Sequence, residues 1–244
     1  MNYFLHHLTE VDSTNTHCKK LARENAPHGT VVIADHQTGG RGRMGRTFCS
    51  PRTGLYCSVL LRPSWDADTV QLVTACTAVA AAEAVDALCA AHTGIKWVND
   101  LFLGNRKIAG ILTEAAFTAS GQLDYLIVGI GINLRDTHHM LPEELHAVAT
   151  SIEEETGCII TPMQMADVLL KHLDEAYAAL PEKRFLEAYR ARSVLIGKDV
   201  MVHAGTGSYP AHVTGIDDAA GLMVQLPDGT HRVLNTGEVS VRLK

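Results

Sequence analysis

The sequence is poor in aromatic residues and has no excess of positive charge. Its 244 residues include only 2 Trp, 6 Tyr and 5 Phe, which is not typical of an aromatic-rich protein that stacks on nucleic-acid bases. The formal net charge is −6 at pH 7, which removes the general electrostatic argument for binding nucleic acid. Only a local cluster of positive charge could still recognise an anion.

The cysteine and histidine spacings of a metal site or a disulfide framework are also missing. The 6 cysteines form no Cys-x-x-Cys pair, and the 13 histidines include no His-x-x-x-His. The segment Met1 to Asp12 lacks the basic and apolar parts of a secretory signal. We therefore expect a reduced, cytoplasmic protein with ordinary buried thiols.

No long hydrophobic run is free of charge. The most apolar stretch, Val73 to Ala91, contains Glu83 and Asp86, which predicts a core helix and not a membrane span. A chain of 244 residues with 46% hydrophobic residues is long enough to bury a large core. Its length favours one main domain with a small appendage.

Hydrophobic periodicity predicts both helices and strands in the first 192 residues. A helix is expected after the capping residues Asp12–Asn15, ending near Pro27. The other predicted elements are strands at Tyr3–Leu8, Thr30–Ala34, Leu55–Leu61, Ile95–Leu103, Arg106–Ala116 and Tyr125–Leu134, and helices at Thr69–Ala91, Pro142–Thr156 and Pro162–Arg192.

The pattern changes near residue 193. Short alternating apolar runs separated by glycines, such as Gly215, Gly221 and Gly229, continue to the end of the chain. This pattern is typical of a small β-barrel. We therefore predict an α+β fold, with a mixed sheet and flanking helices in residues 1–192 and a β-barrel domain in residues 193–244.

A glycine–arginine loop occupies residues 37–46, Gln-Thr-Gly-Gly-Arg-Gly-Arg-Met-Gly-Arg. Gly40, Gly42 and Gly45 match the Gly-x-Gly-x-x-Gly pattern of dinucleotide-binding proteins, which directs a helix N-terminus at a pyrophosphate. The residues that follow, Thr47 to Pro51, lead to a strand, so the context of that motif is missing.

Another interpretation of the glycine–arginine loop fits its composition better. Its glycines let the backbone approach a ligand, and Arg41, Arg43 and Arg46 have the geometry to bind phosphate or carboxylate. We expect a lid that orders over an anionic ligand. A solvated surface loop and an RG-type nucleic-acid contact are the alternatives.

Lys107 lies among apolar residues of a predicted strand. Strict alternation places it on the face of Ala109 and Ile111, with Gly110 on the opposite face. A lysine in such surroundings needs a partner, which an anionic ligand would supply, unless its amine extends into water.

Two further signals are individually weak. Asp100, in the turn Asn99-Asp100, could hold Mg²⁺, a cation that prefers carboxylate oxygens, although Asn-Asp is also an ordinary turn sequence. Gly129 and Gly131 lie inside a strand, which they weaken unless a ligand or another backbone must come close.

Five motifs in order make the sequence resemble the biotin–protein ligases. They are Asp12-Ser13-Thr14-Asn15, Gln37 to Arg46, Lys96-Trp97-x-Asn99-Asp100-Leu101, Arg106-Lys107-x-Ala109-Gly110-Ile111-Leu112 and Gly129-x-Gly131-Ile132-Asn133. The resemblance covers nearly the whole chain, including Gly237-Glu238-x-Ser240-x-Arg242 near its end. The chain departs from the family at Val98, where proline is usual, and at Phe48, where tryptophan is frequent.

The resemblance implies a fold and a reaction. The fold is the class II synthetase-like catalytic domain of biotin and lipoate ligases with an SH3-like C-terminal barrel. In the reaction, ATP activates biotin as biotinyl-5′-AMP, and a lysine of the biotin carboxyl carrier domain of a carboxylase then takes the biotinyl group. Mg²⁺ accompanies ATP. Regulatory members carry an N-terminal DNA-binding domain, whereas this chain starts at the catalytic part, so we expect no DNA partner and no membrane partner.

The resemblance also assigns residues to roles. The catalytic residues are Lys107, Arg43 and Asp100, and Asp100 is also the metal ligand. The predicted biotin-binding residues are Ser13, Thr14, Asn15, Gln37, Gly40, Arg41, Gly42, Arg43, Lys107 and Gly110. The predicted ATP- or adenylate-binding residues are Arg41, Arg43, Arg46, Phe48, Lys96, Asn99, Lys107, Asn133, Glu238 and Arg242.

The sequence leaves three alternatives open. A lipoate–protein ligase would share the fold and the chemistry, and a noncatalytic RNA-binding module would use the arginines differently. An exposed sheet edge could pair two catalytic domains as a homodimer or dock the carrier.

Overall fold

A seven-stranded mixed sheet is the largest element of the protein. The structure is a computed structural model that describes residues 1–63, 69–135, 137–204, 207–235 and 238–240. The strands of this sheet are β1 (Phe4–Leu8), β2 (Thr30–Ala34), β3 (Gly54–Leu61), β4 (Gly94–Lys96), β5 (Asp100–Leu103), β6 (Arg106–Phe117) and β7 (Leu123–Asn133). Their spatial order is β1-β2-β3-β7-β6-β5-β4, with β1 parallel to β2 and the other pairs antiparallel.

Six helices accompany this sheet in the described part of the chain. They are α1 (Thr14–Arg23), α2 (Thr69–Cys89), α3 (Thr137–Met140), α4 (Ile152–Thr156), α5 (Pro162–Ala178) and α6 (Phe185–Ala191). As the sequence predicts, a polar cap begins α1, because the Ser13 side chain accepts a hydrogen bond from the Thr16 amide. A capping box of Thr161 and Gln164 begins α5, with Pro162 in its first turn.

The two faces of the large sheet are covered differently. On the face that we call the α2 face, Val128, Ile130 and Ile132 of β7 join the main core beneath α2 and α5. On the other, the α1 face, only a small cluster forms between α1 and the sheet, including Cys18 and Ile127. The α1 face is therefore left partly uncovered, and the site described below lies there.

Helix α2 is a core helix, as the sequence predicts. Its stretch Leu72–Cys89 is long and apolar enough to cross a membrane, with a mean hydropathy of 1.6, but 72% of it is buried inside the protein. Alanines such as Ala78, Ala80 and Ala81 are fully buried. Packing within the protein therefore accounts for its apolar composition.

A second, five-stranded antiparallel sheet occupies the C-terminal part. Its strands are β8 (Asp199–Ala204), β9 (Gly207–Ile216), β10 (Leu222–Gln225), β11 (His231–Leu234) and β12 (Glu238–Ser240), in the order β11-β10-β9-β8-β12. The predicted boundary at residue 192 falls between α6 and β8. The division into domains 1–192 and 193–244 stays a prediction.

Hydrogen bonds from the β9–β10 turn and from α6 fix the turn between β4 and β5. The Trp97 indole donates to the Ala220 carbonyl at 2.8 Å, and the Tyr189 hydroxyl donates to the Val98 carbonyl at 3.0 Å. Arg192 forms an ion pair with Asp86 at 2.6 Å. The turn that precedes Asn99 and Asp100 is therefore fixed from two sides.

Three elements differ from the sequence prediction. The single helix predicted at 162–192 is two helices, α5 and α6, separated by residues 179–184. The single strand predicted at 95–103 is a hairpin, in which Lys96 pairs with Asp100 across a turn. The helix predicted at 142–156 is mostly not helical. Only a 3₁₀ turn (Glu143–Leu145) and the five-residue α4 form there, because Val148 and Thr150 make backbone hydrogen bonds to Lys107 instead. Tertiary hydrogen bonds override local propensity here.

Candidate functional site

A cavity of about 190 Å³ lies on the uncovered part of the α1 face. Strands β6 and β7, helix α1, the hairpin turn after β4 and the glycine–arginine loop surround it. Its lining residues are Ser13, Thr14, Asn15, Gln37, Arg41, Gly42, Arg43, Arg46, Thr47, Phe48, Lys96, Trp97, Asn99, Asp100, Lys107, Gly110, Ile111, Leu112, Gly129, Ile130 and Gly131. Segments distant in sequence therefore meet in a single cavity.

The floor of the cavity is a patch of sheet without side chains. Gly110 of β6 pairs directly with Gly131 of β7. Gly129 lies two residues before Gly131, on the same face of the sheet. A Cβ at Gly131 would lie 2.5 Å from Cε1 of Phe48, and a Cβ at Gly129 would lie 2.1 Å from Oδ1 of Asn15. Glycine is required at both positions because another group lies directly on the backbone.

Polar side chains from α1 and nearby segments form one end of the cavity. Gln37 Oε1 accepts hydrogen bonds from the Thr14 amide at 2.8 Å and from Thr14 Oγ1 at 3.0 Å, and Gln37 Nε2 donates to Ser50 Oγ at 2.8 Å. Ser13, Thr14 and Asn15 are all nearly inaccessible to solvent. These groups are held by one another and are therefore preoriented.

The glycine–arginine loop folds into a short hairpin over the cavity. The Phe48 amide donates to the Gly40 carbonyl at 3.0 Å, and the Gly42 amide donates to the Arg46 carbonyl at 2.7 Å. At its tip, Arg43 Nη1 donates to Asn99 Oδ1 at 3.2 Å. This last bond connects the loop to the β4–β5 turn on the far side of the cavity.

Lys107 is on a different face from the one that strict alternation predicts. Leu101 pairs with Ala109 but Phe102 pairs with Lys107, so Ile108 is an extra residue and forms a β-bulge. The bulge reverses the alternation, and Lys107 Nζ lies 3.1 Å from a Cβ built on Gly110. The prediction that Lys107 faces away from Gly110 is therefore wrong, and the bulge directs its amine into the cavity.

The partner of Lys107 is a carboxylate of the protein itself. Lys107 Nζ donates to Asp100 Oδ1 at 2.7 Å, and it lies 5.9 Å from the centre of the Phe48 ring. The lining includes five cationic side chains, Arg41, Arg43, Arg46, Lys96 and Lys107, but among the described lining residues Asp100 is the only carboxylate. The cavity is therefore strongly positive in a protein whose overall charge is negative.

The cavity brings together fourteen of the predicted site residues. These are Ser13, Thr14, Asn15, Gln37, Arg41, Gly42, Arg43, Arg46, Phe48, Lys96, Asn99, Asp100, Lys107 and Gly110. Their roles stay predictions, since cavity lining alone does not assign a function to a residue.

Three of the other predicted site residues lie elsewhere, and the fourth is outside the described part of the chain. Gly40 is buried beneath the loop, where a Cβ would lie 2.3 Å from the Phe48 carbonyl oxygen. Asn133 does not line the cavity, and its amide donates to the Thr150 carbonyl at 2.9 Å. Glu238 begins β12 in the second sheet, and Arg242 lies outside the described residues.

Sequence reasoning missed the residues that support the polar end. Ser58 contacts both Thr14 and Asn15, and Glu114 accepts a hydrogen bond from Asn15. Both project from the α1 face, at positions where alternation would permit a core residue. A polar residue at a core-facing strand position is the signal that could have revealed them.

The ionisable groups near the cavity include an inert phenol. Burial raises the pKa of Tyr56, whose ring lies edge-on to Phe48 and whose hydroxyl donates to the Pro51 carbonyl at 2.6 Å. Burial also raises the pKa of Cys57, on the same strand, to about 12. Neither group ionises near neutral pH, so neither is a candidate base or nucleophile.

Comparison with known protein families gives two matches that together cover much of the chain. The model described as the biotin/lipoate A/B protein ligase family matches residues 8–133. The model described as the biotin protein ligase C terminal domain matches residues 195–242.

Individual proteins are similar over nearly the full chain. The biotin--[acetyl-CoA-carboxylase] ligase of Paracoccus denitrificans is 32% identical over 238 residues, covering 95% of this chain and 98% of that protein. The bifunctional ligase/repressor BirA of Bacillus spizizenii is 31% identical over 230 residues, covering 91% of this chain and 70% of the relative. The structure of the Aquifex aeolicus biotin protein ligase in complex with biotin and ATP aligns with a TM-score of 0.82 at 31% identity, covering 98% of both chains.

Proposed function

The chain belongs to the biotin/lipoate A/B protein ligase family, and we propose that it is a biotin–protein ligase that activates biotin with ATP and transfers it to a carrier lysine. The observation that carries the proposal is the composition of the cavity. It joins a preoriented polar end, a glycine floor and five cationic side chains within one enclosure. The Aquifex aeolicus relative, whose structure contains biotin and ATP, supports the same pair of substrates.

The first step forms a mixed anhydride. The biotin carboxylate oxygen attacks the α-phosphorus of ATP, a new P–O bond forms, and the bond to the leaving pyrophosphate breaks. Carboxylate and triphosphate repel each other, and one pair of unit charges at 4 Å costs about 4 kcal/mol at an effective dielectric constant of about 20. The excess of cations around the cavity offsets this repulsion, so positioning and electrostatics can supply most of the catalysis.

We assign Lys107 the position between the two anions. Asp100 holds its ammonium group at 2.7 Å, and the glycine floor at Gly110 leaves the space beside it free of side chains. A cation fixed in this way needs little reorganisation when negative charge accumulates on the α-phosphate. Lys107 is therefore the residue on which we expect adenylation to depend most.

The donor set suits Mg²⁺ only as a companion of ATP. Among the described residues there is no cluster of three acidic, histidine or cysteine side chains, and Asp100 is the sole carboxylate among the described lining residues. Mg²⁺ in nucleotide sites is commonly held by one or two carboxylates together with substrate phosphates. Asp100 would hold it, and the ion would supply charge neutralisation of the phosphates.

We propose that the glycine–arginine loop retains the intermediate. The mixed anhydride is hydrolysed by water, so a cover over the cavity protects it until the carrier arrives. Arg43, which contacts Asn99 on the far side, is the residue suited to close this cover. In the second step the neutral carrier lysine amine attacks the acyl carbon, and the bond from this carbon to the phosphate oxygen breaks. The products are the amide, AMP and one proton.

The polar end favours biotin over lipoate. Biotin carries a ureido group with two N–H donors and a carbonyl, whereas lipoate has none of these groups. The Thr14 hydroxyl oxygen at this end of the cavity can accept from a ureido N–H, and an N–H group buried without an acceptor costs about 1–3 kcal/mol. The C-terminal match to a biotin protein ligase domain supports the same choice.

We propose the biotin carboxyl carrier domain of a carboxylase as the partner and the cytoplasm as the location. The name of the Paracoccus denitrificans relative specifies acetyl-CoA-carboxylase as the protein modified. ATP and reduced cysteines, three of them buried, are consistent with an intracellular enzyme.

Mass spectrometry of a carrier domain tests the proposed function. The carrier is incubated with the protein, biotin, ATP and Mg²⁺, and we expect a mass increase of one biotinyl group on one lysine. Omitting ATP or replacing biotin with lipoate serves as the control and should leave the mass unchanged. Modification with lipoate but not with biotin would establish the lipoate ligase instead.

A further inference from the structure

A chain of hydrogen bonds runs from Glu114, outside the cavity lining, to the polar end. Lys19 Nζ donates to Glu114 Oε1 at 2.5 Å, and Asn15 Nδ2 donates to Glu114 Oε2 at 2.8 Å. Asn15 Oδ1 accepts from Ser58 Oγ at 2.6 Å, and Ser58 Oγ lies 2.8 Å from Thr14 Oγ1. The chain thus links a charged pair at the edge of α1 to residues that line the cavity.

The carboxylate of Glu114 fixes the orientation of the Asn15 amide. Both nearby groups on that side, Glu114 Oε2 and the Leu112 carbonyl at 3.3 Å, are acceptors, so the nitrogen of Asn15 must face them. A flipped amide would set its oxygen against two other oxygens. Oδ1 therefore points to Ser58, and the Ser58 hydroxyl must donate to it.

This direction continues toward the cavity. With the hydrogen of Ser58 committed to Asn15, only the Thr14 hydroxyl hydrogen is left for the two remaining oxygen–oxygen contacts, to Ser58 and to Gln37 Oε1. The Thr14 amide also donates to Gln37 Oε1, but one of the two oxygen–oxygen contacts is left without a hydrogen. A ligand that brings N–H donors complements this arrangement, whereas a ligand that brings acceptors would oppose it.

We propose that Glu114 is a positioning residue that sets the direction of this hydrogen-bond chain and so makes the cavity selective for a ligand with N–H donors. The inference rests on the proposed function, in which the ureido group of biotin supplies those donors. Glu114 acts through Asn15 and Ser58 and touches neither substrate. Lys19 donates to the other oxygen of this carboxylate and holds it in place.

The sheet holds the chain in register. Leu112 and Glu114 lie on the same face of β6, and Ser58 of β3 pairs with Gly129 of β7. Asn15 rests on Gly129, where no side chain intervenes between the amide and the sheet. Ser58 is fully buried, so water does not replace its partners.

The test is Glu114→Gln, compared with Asp124→Asn as a matched control. Asp124 is an exposed carboxylate on neighbouring β7 that pairs with Arg62, so its substitution removes the same charge without touching the chain. We expect Glu114→Gln to raise the KM for biotin at least about tenfold, because the introduced amide can donate to Asn15 and reverse the chain. The KM for ATP should stay within about twofold of wild type.

A second substitution tests the chain without changing a charge. Ser58→Ala removes the hydroxyl that links Asn15 to Thr14, so it should reproduce the loss specific to biotin. This variant also tests the inference if Glu114→Gln does not fold.

Two results would overturn the inference. They are an unchanged biotin KM in Glu114→Gln or Ser58→Ala, and a parallel rise of the KM values for biotin and ATP. Biotin-dependent pyrophosphate release by wild type and by Asp124→Asn tests the proposed function separately. If both proteins release pyrophosphate in a biotin-dependent way and Glu114→Gln has the same KM for biotin, only the role of Glu114 is refuted. If neither does, the proposed function fails.

Discussion

The two faces of the large sheet are built from the same strands, but one forms the core and the other forms the cavity. Along β7, Leu126, Val128 and Ile130 point to the α2 face and are fully packed beneath helices. The alternate positions Gly129 and Gly131 face the α1 side, where Asn15 and Phe48 lie directly against the strand backbone. One strand therefore alternates between the core and the cavity floor, residue by residue.

This difference separates stability from chemistry. Apolar burial on the α2 face supplies the free energy of folding, at about 25 cal/mol per Å² of apolar surface removed from water. The α1 face forgoes such burial and holds polar and charged groups in fixed positions instead. Substitutions on the two faces should therefore have separable effects on unfolding and on activity.

The largest effect is expected from Lys107→Met on the α1 face. It removes the cation between the two anions and leaves Asp100 without its partner, so the rate of biotinyl-5′-AMP formation should fall about a thousandfold, or about 4 kcal/mol. Quenched single-turnover assays measure this rate. The matched control is Lys198→Met, an exposed lysine before the second sheet, which should leave the rate unchanged. A rate within tenfold of wild type in Lys107→Met would refute the role assigned to Lys107.

On the α2 face, Leu126→Ala should affect stability and not activity. Leu126 is fully buried in the main core, and such a truncation costs about 3 kcal/mol in the free energy of unfolding. Denaturant unfolding measures this loss, and biotin KM at low temperature should stay within twofold of wild type. A large change in biotin KM would show that the two faces are coupled.

Gly131→Ala should damage binding through the cavity floor. The added methyl group would lie 2.5 Å from the Phe48 ring and push it into the cavity, at a cost of about 2 kcal/mol, or about thirtyfold in the dissociation constant of biotin. Calorimetry measures this constant. Gly215→Ala is the control, because a Cβ at that strand position meets only Met223 Sδ at 3.7 Å. Equal effects of the two substitutions would argue against a role of the floor.

Arg43→Ala should have the smallest effect of the four. Losing its contact to Asn99 and its charge over the cavity should speed dissociation of biotinyl-5′-AMP about tenfold, or about 1.4 kcal/mol. This rate is measured by following the release of bound biotinyl-5′-AMP into a solution that contains a trap for the free adenylate. Arg23→Ala, an exposed arginine at the end of α1, is the control. An unchanged dissociation rate would exclude a lid role for the arginine.

Local sequence signals are sufficient to predict most of the fold. The cap of α1, the buried strands β2 and β3 and the alternation in the C-terminal sheet follow from residue type and period. The helix predicted at 142–156 is wrong, because the backbone bonds of this segment to Lys107 are made between residues about 40 positions apart. Periodicity does not register contacts of that kind.

Two features of the site depend on three-dimensional detail. The bulge at Ile108 directs Lys107 into the cavity. The sequence gives no local signal for this bulge, because residue 108 is neither glycine nor proline. The partnership of Ser58 and Glu114 with Asn15 arises from the packing of α1 on the sheet. The ordered motifs nevertheless located the cavity, because each contributes residues to its lining.

Incorporation of labelled pyrophosphate into ATP, measured without any carrier, tests the central claim most directly. If the cavity joins a biotin carboxylate to the α-phosphate of ATP, wild-type protein will catalyse this exchange only when biotin is added. Exchange that is independent of biotin, or ATP cleavage with biotin but without exchange, would contradict the account.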